Sequence, residues 1–208
     1  GYQITFVLML TSAIVTCTLT TRLKDHAKMS AQAAFRTKIL FDTNQLLQRA
    51  KSEEEILSQT ASQLMKLLNR SLIVYPEQNG DLGSEQVFEV DGEVPCNIFS
   101  APEERDAANW TFANKKRSGA GTDSYPDAKG LYLALRTGGG VFGVIGIDLS
   151  EKPLDAFENS VLLSILGEGA LAIENRRNAL EKEQAALQAR NEELRANLLR
   201  TISHDLRT

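Results

Sequence analysis

The chain begins with an apolar stretch, GYQITFVLMLTSAIVTCTLTT, that contains no charged residue before Arg22. As a helix these 21 residues would extend about 30 Å, which is the hydrocarbon thickness of a bilayer. Lys24 and Lys28 follow, and the positive-inside rule therefore places the later residues in the cytoplasm. The pattern predicts a partial or complete transmembrane helix over residues 1–21. A buried helix of a water-soluble domain is the alternative that the pattern leaves open.

A helical period of apolar residues continues over residues 22–51, which we expect to form a cytoplasmic linker helix. Ser52 then precedes three glutamates. This arrangement is typical of an N-cap followed by acidic residues at the positive end of the helix dipole. The apolar face of this second helix consists of Ile56, Leu57, Ala61, Leu64 and Leu68.

Short apolar runs alternate with turn residues in the middle of the chain. SLIVYPE and QVFEV predict strands, and a helix is expected to begin near Pro102. LYLALRTGGGVFGVIGIDL predicts a β-hairpin, because two apolar runs flank glycines that permit the positive φ angles of a tight turn. The second run, Val141 to Leu149, is apolar at nearly every position besides its glycines, so we expect a central strand that is covered on both faces.

Leucine or isoleucine recurs every seven residues along the last helical segment, as expected for one position of a coiled-coil seam. This position holds Leu166, Ile173, Leu180, Leu187 and Leu194. The other seam position is weaker and holds Ala170, Arg177, Gln184, Asn191 and Leu198. We therefore expect residues 175–208 to form a parallel homodimeric coiled coil. A single solvated helix is the alternative, since charged residues fill the remaining positions.

Together these elements predict an α+β fold. Residues 52–174 would form an antiparallel sheet with flanking helices. This domain would lie between a long N-terminal helix and a long C-terminal coiled-coil helix. The order of its elements resembles that of GAF- and PAS-type sensor domains.

Composition narrows the function classes. The formal net charge is −4 and no long basic face is present, so we expect no nucleic-acid partner. The two cysteines, Cys17 and Cys96, have neither CxxC spacing nor a nearby histidine, so we expect no metal site. Residues 119–149 contain no cysteine that could attach a bilin, and we expect no cofactor in this part of the protein.

The chain ends in LLRTISHDLRT, which contains one of its two histidines, His204. A neutral imidazole is a nucleophile toward a phosphoryl group, and Asp205 could accept the second imidazole proton or orient the ring. Thr208 lies one helical turn further, where its hydroxyl could position a water that removes the phosphoryl group. S-H-D-L-R-T resembles the phosphoacceptor box H-[DE]-L-R-T-P of sensor histidine kinases. That resemblance implies that His204 is the phosphoacceptor.

Residues 109–147 resemble the GAF domain of KdpD-type potassium-responsive sensor histidine kinases. That family has a W-x-F segment, a G-x-G-T-D-x-x-P loop and an apolar hairpin in this order. The corresponding residues are Trp110, Phe112, Gly119, Gly121, Thr122, Asp123 and Pro126.

Membership of this family implies a protein of the bacterial inner membrane, with residues 1–21 as the last of four spans and the residues after about 22 in the cytoplasm. It implies autophosphorylation of His204 by a C-terminal domain that uses ATP and Mg²⁺. It also implies phosphoryl transfer to a KdpE-type response regulator that controls potassium-uptake genes. Residues 1–208 contain no G-K-[ST] phosphate-binding loop, so we expect this portion to be inactive on its own.

A non-enzymatic role is the alternative: a GAF-like module that binds a small molecule or only dimerises. Its candidate sensor pocket would comprise Trp110, Thr122, Asp123 and Tyr125. Trp110 could instead be a core residue, and Thr122 and Asp123 could simply organise a turn. The S-H-D-L-R-T sequence favours the kinase, because a binding module has no use for a phosphoacceptor.

Overall fold

The computed structural model describes residues 2–90 and 97–205. Side chains are not described for residues 3–8, 10–15, 25, 97 and 201–205. The helices are α1 (Tyr2–Arg49), α2 (Glu53–Leu68), α3 (Pro102–Asn114) and α4 (Ala156–Asp205), with a short 3-10 helix at Asn97–Ser100. The strands are β1 (Leu72–Gln78), β2 (Asp81–Leu82), β3 (Gln86–Phe88), β4 (Ser118–Gly119), β5 (Gly130–Arg136) and β6 (Val141–Asp148).

An antiparallel six-stranded sheet forms the centre of the domain in the order β2-β1-β6-β5-β4, with β3 also paired to β1. The predicted hairpin is confirmed as β5 and β6, which pair from Gly130 opposite Asp148 to Arg136 opposite Val141. The amide of Thr137 donates to the carbonyl of Gly140 (3.0 Å) and closes its turn. Strand β6 lies between β1 and β5, as its apolar sequence predicts.

Helices α2 and α4 cover one face of the sheet, and the end of α1 joins them. The predicted N-cap of α2 is confirmed, because the amide of Glu55 donates to the Ser52 hydroxyl (3.1 Å). The buried apolar residues that α2, the strands and α4 contribute to this core include Ile56, Leu57, Ala61, Leu64, Leu72, Val74, Leu131, Leu133, Leu135, Ile145, Ile147, Val161, Leu162, Ile165, Leu166, Ala170 and Ile173.

Helix α3 covers the other face of the sheet and is fastened to it by a buried carboxylate. Glu104 is 2% exposed. Its two oxygens accept hydrogen bonds from the amides of Lys129 (2.7 Å) and Gly130 (3.1 Å) and from the hydroxyl of Tyr132 (2.8 Å). Burial and the neighbouring Glu104 carboxylate raise the pKa of Tyr132 well above its usual range, so this hydroxyl remains a donor. The Tyr132 ring lies where a side chain at Gly146 would otherwise be.

Helix α1 is one continuous element of 48 residues, so no break separates the predicted span from the predicted linker. Its second half packs along α4, where Arg36 donates to the hydroxyl of Ser164 (2.6 Å) and Asn44 donates to Glu168 (3.3 Å). The predicted span at residues 1–21 falls mostly on residues whose side chains lie outside the described part.

Helix α4 corrects the predicted coiled coil at its start. Leu166 (4% exposed) and Ile173 (fully buried) belong to the core of their own chain. The seven-residue repeat becomes available to a partner only later, at Leu180, Leu187 and Leu194, which are 41%, 57% and 54% exposed. The first two positions of the repeat are therefore core residues. The sequence pattern does not separate them from the coiled-coil positions, because a helix that covers a sheet and a helix that enters a coiled coil need nearly the same apolar period.

One helix in the described part of the chain is long and apolar enough to cross a membrane, and it is Ala156–Arg200 of α4. Of its most apolar window, 39% is buried inside the domain. The buried residues of that window pack in the core of the domain.

Arg177 fastens α4 to the domain at the point where the helix leaves it. Its guanidinium donates to both carboxylate oxygens of Glu53 (2.8–3.1 Å) and to Glu77 (2.9 Å), and it lies 5.0 Å from the centroid of the Phe142 ring. This contact corrects the assignment of Arg177 to the coiled-coil seam. A guanidinium can bind two carboxylates at once, so it joins α4 to both α2 and β1.

Replacing Glu104 with Ala should lower the free energy of unfolding by about 3 kcal/mol, because two amides and one hydroxyl lose a buried acceptor. Urea denaturation followed by circular dichroism would measure the loss. The matched control is Glu103→Ala, whose exposed side chain precedes Glu104 in the same helical turn and should cost less than about 1 kcal/mol. Equal losses in the two variants would contradict the proposed role of Glu104.

Acid should weaken the contact between α4 and the domain through Glu77. The Gly80 amide, which donates to this carboxylate (2.9 Å), and Arg177 lower the pKa of Glu77 below its usual value of 4.5. The ionised carboxylate therefore stabilises the fold above its unfolded-state pKa, and this contribution is lost as the pH falls through the folded-state pKa.

Glu77→Gln should accordingly lose less stability than the parent chain when the pH falls from 7 to about 3.5. Urea midpoints at the two pH values would measure this difference. The exposed Glu54→Gln variant is the control and should respond to acid as the parent does. A parent-like response of Glu77→Gln would show that this carboxylate is not coupled to folding.

Candidate functional site

An open cleft of about 860 Å³ lies beside strand β5. Its walls come from the end of α3, the residues that follow α3, the loop before β5, strand β5 itself and the first turns of α4. The cleft lies at the edge of the sheet, because β4 pairs only with Leu131 and Tyr132 of β5. In the part of the chain that the structure describes, no strand continues this pairing along residues 133–136.

Glycine allows the loop before β5 to form this cleft wall. Gly119 has φ +93°, and a side chain there would collide with the carbonyl of Gly130. Its amide donates to the carbonyl of Ser124 (2.8 Å), which folds the loop back on itself. The hydroxyl of Thr122 lies 2.8 Å from the carbonyl oxygens of Gly119 and Ser124 and can donate to either. Thr122 therefore organises the loop, in agreement with the alternative prediction that this residue organises a turn.

Three of the four predicted pocket residues meet at the cleft, namely Trp110, Thr122 and Asp123. Trp110 is only partly buried, so it is a wall residue of the cleft rather than a core residue. Tyr125 is not among the residues that line this cleft, so its place in a sensor pocket stays a prediction. Its backbone adopts the left-handed conformation (φ 58°) in a turn closed by the Ala128 amide, and its side chain is 38% exposed.

Four cationic side chains line the same cleft and were not among the predicted site residues: Lys115, Lys116, Arg117 and Arg136. Lys115 ends α3 in the left-handed conformation, with its amide donating to the carbonyl of Thr111 (2.9 Å). The consecutive run KKR after the W-x-F segment was the sequence signal that could have identified the first three of these cations. Arg136 is the last residue of β5 and is distant from the other three cations in sequence. It lies beside them only because the chain folds.

The predicted phosphoacceptor residues lie far from this cleft along α4. His204 and Asp205 are in the last turn of the helix, and Thr208 lies outside the described residues. The helix rises about 1.5 Å per residue, so His204 is about 40 Å beyond Arg177 along the helix. Residues 178–200 are all exposed in the single chain. The structure therefore does not bring the cleft and the phosphoacceptor together but connects them by one helix.

Comparison with known proteins bears directly on this arrangement. No protein-family model matches the chain. The Sensor protein KdpD of Clostridium acetobutylicum is 32% identical over 209 residues, and the Sensor protein KdpD of Escherichia coli K12 is 28% identical over 211 residues. Each match covers 100% of this chain, which spans only 23% and 22% of those two proteins.

Two solved structures establish the fold of the central domain. The GAF domain of the potassium sensor histidine kinase KdpD from Escherichia coli matches with a TM-score of 0.52 at 22% identity, over 73% of this chain and 99% of that one. The GAF domain of a Pseudomonas syringae pv. tomato protein described as a sensor histidine kinase matches with a TM-score of 0.52 at 19% identity, over 76% of this chain and 97% of that one. The expected resemblance is thus confirmed: the central domain is a GAF domain, and the chain is similar along its whole length to the KdpD sensor proteins.

Proposed function

We propose that this chain is the sensor and phosphoacceptor portion of a membrane-bound, KdpD-like two-component histidine kinase. The observation that carries the proposal is the S-H-D-L-R-T sequence, whose first three residues are the last three of α4, the helix that also contributes to the core of the GAF domain. The end-to-end similarity to KdpD sensor proteins supports it.

In the proposed reaction, an imidazole nitrogen of His204 attacks the γ-phosphorus of ATP. The bond between that phosphorus and the β-γ bridging oxygen breaks, and ADP leaves. Asp205 orients the ring or accepts its second proton. The phosphoryl group then passes to an aspartate of a KdpE-type response regulator that controls potassium-uptake genes. Thr208 would position a water that attacks phosphohistidine, which breaks the P–N bond and releases inorganic phosphate and free His204.

A separate C-terminal domain would supply the bound ATP and Mg²⁺, so this portion should be inactive alone. Residues 1–21 would anchor it in the bacterial inner membrane, with the GAF domain on the cytoplasmic side, where the basic residues after position 21 favour it.

We infer that α4, which we call the exit helix because it leaves the domain, dimerises from about Leu180 onward. Leu180, Leu187, Leu194 and Leu198 are large apolar side chains, each at least 41% exposed, on one face of a helix that has left its domain. Pairing with a second copy would bury this stripe, and the seven-residue spacing is that of a parallel two-stranded coiled coil.

A non-enzymatic ligand-binding module is the second candidate, and the cleft of about 860 Å³ favours it. The two candidates differ at His204, because only a kinase portion requires a phosphoryl acceptor there.

Replacing Leu187 with Glu should convert a dimer to a monomer, because the charge would be buried in the seam. Light scattering during gel filtration would give the mass in solution. The control is Ala189→Glu, which places the same charge two residues away on the outer face of the predicted coiled coil. Dimerisation that survives Leu187→Glu would place the interface elsewhere.

Phosphoryl transfer would be tested with γ-labelled ATP, a separately produced kinase domain and this chain extended by the sequence that follows Thr208 in the full kinase. We expect acid-labile, base-stable label in the parent and none in His204→Gln. His26→Gln, which changes the other histidine, should be labelled like the parent. Label that persists in His204→Gln, or its absence from a folded and dimeric parent, would reject the kinase assignment.

A further inference from the structure

We propose that the cleft beside β5 binds an aromatic organic phosphate and that the bound ligand contacts the exit helix directly. This inference deepens the sensor role proposed above, because it names the chemical class that the GAF domain would detect. The argument rests on the charge, shape and position of the cleft.

The cleft is strongly positive although the chain is negative. Its lining residues include four cations, Lys115, Lys116, Arg117 and Arg136, and one carboxylate, Asp123, so the lining has a formal charge of +3. The chain as a whole has a formal net charge of −4. Within the described residues, none of these four cations forms an ion pair; the ion pairs there belong to Arg105 and Arg177.

Phosphate is the anion that such a group of cations fits best. Guanidinium and ammonium groups donate charge-assisted hydrogen bonds to phosphoryl oxygens, and two arginines can each offer a planar pair of donors. The left-handed turn at Lys115 places Lys116 and Arg117 along one wall, while Arg136 lies on β5. The cations therefore reach the cleft from two elements.

The same cleft offers a flat ring and an apolar surface to the rest of the ligand. Trp110 is partly buried in one wall, and Leu133, Leu163 and Leu166 also line the space. An aromatic ring stacks favourably on a tryptophan face. A volume of about 860 Å³ also exceeds what inorganic phosphate would occupy and lies within the range of small-molecule sites.

The exit helix is part of the binding site. Leu163, Leu166 and Gly167 of α4 line the cleft, and Leu166 also packs in the core. A ligand that contacts these residues more favourably in one position of α4 than in another would shift the helix toward that position. The cleft thereby provides a physical connection from ligand to exit helix.

Trp110 makes binding directly measurable, because it is the one tryptophan in the chain. AMP would be titrated into the 208-residue chain at low salt while Trp110 fluorescence is excited at the red edge of its absorption. Adenosine and inorganic phosphate are the paired probes that lack the phosphate and the ring. We expect a saturable change with AMP, at least tenfold weaker binding of either paired probe, and weaker AMP binding as salt rises.

Three variants would assign the binding to this cleft. Arg136→Glu should weaken AMP binding at least tenfold by reversing one charge. Gly167→Leu should block the cleft without disturbing the fold, because a side chain at this helical glycine would begin in open space. Lys66→Ala, an exposed lysine on α2, is the control and should bind AMP like the parent.

Failure to see a saturable change with AMP at millimolar concentration would overturn the inference. If adenosine bound as tightly as AMP, the phosphate would not be required for binding. If inorganic phosphate bound as tightly as AMP, the aromatic ring would not be required. If Arg136→Glu and Gly167→Leu both bound AMP like the parent, the ligand would bind outside this cleft. Each of these outcomes would contradict the proposal. They leave the kinase assignment intact, because that depends on labelling of His204.

Discussion

The packing of the first half of α4 against the sheet is the constraint on which the rest of the structure depends. Leu162, Ile165 and Ile173 are fully buried there, and they hold one end of a 50-residue helix against β5 and β6 of the sheet and against α2. An α-helix transmits rotation and translation along its axis because its backbone hydrogen bonds are internal. The orientation of the exposed half is therefore set by how the buried half packs, and Arg177 holds the helix where it leaves the domain.

This arrangement gives α4 three roles at successive positions. Its buried face completes the core, Leu163 and Gly167 form a wall of the basic cleft, and the residues beyond Arg177 extend away from the domain. If a ligand binds in the cleft as proposed, it contacts α4 directly, because residues of α4 line the cleft. In a KdpD-like kinase, this geometry would convert ligand occupancy into a change in helix orientation, provided that the ligand distinguishes two such orientations.

Features with local physical causes were predictable from the sequence. The capping hydroxyl of Ser52, the proline at the start of α3 and the glycines between β5 and β6 each act within a few residues, and the structure has all three where expected. Assignments that depend on what a residue faces were less reliable. Leu166 and Arg177 both fit a coiled-coil repeat, but one is buried under the sheet and the other binds two carboxylates. Tyr125 is near the pocket residues in sequence, yet the turn that contains it leaves its side chain outside the cleft.

The sequence by itself determined the order and kind of the four helices and the longer strands, the central position of β6 and the family resemblance. Apolar periodicity, caps, turns and short motifs are encoded by neighbouring residues, whereas the two-residue strands β2 and β4 have no such signal. Only the tertiary structure decided where the apolar repeat of α4 changes from core to exposed stripe. Only the tertiary structure also brought Arg136 to the cations after α3 and aligned Glu53 and Glu77 around Arg177. The physical reason is that burial and charge clustering depend on contacts between residues that are distant in sequence, and those contacts exist only once the sheet and its helices have packed.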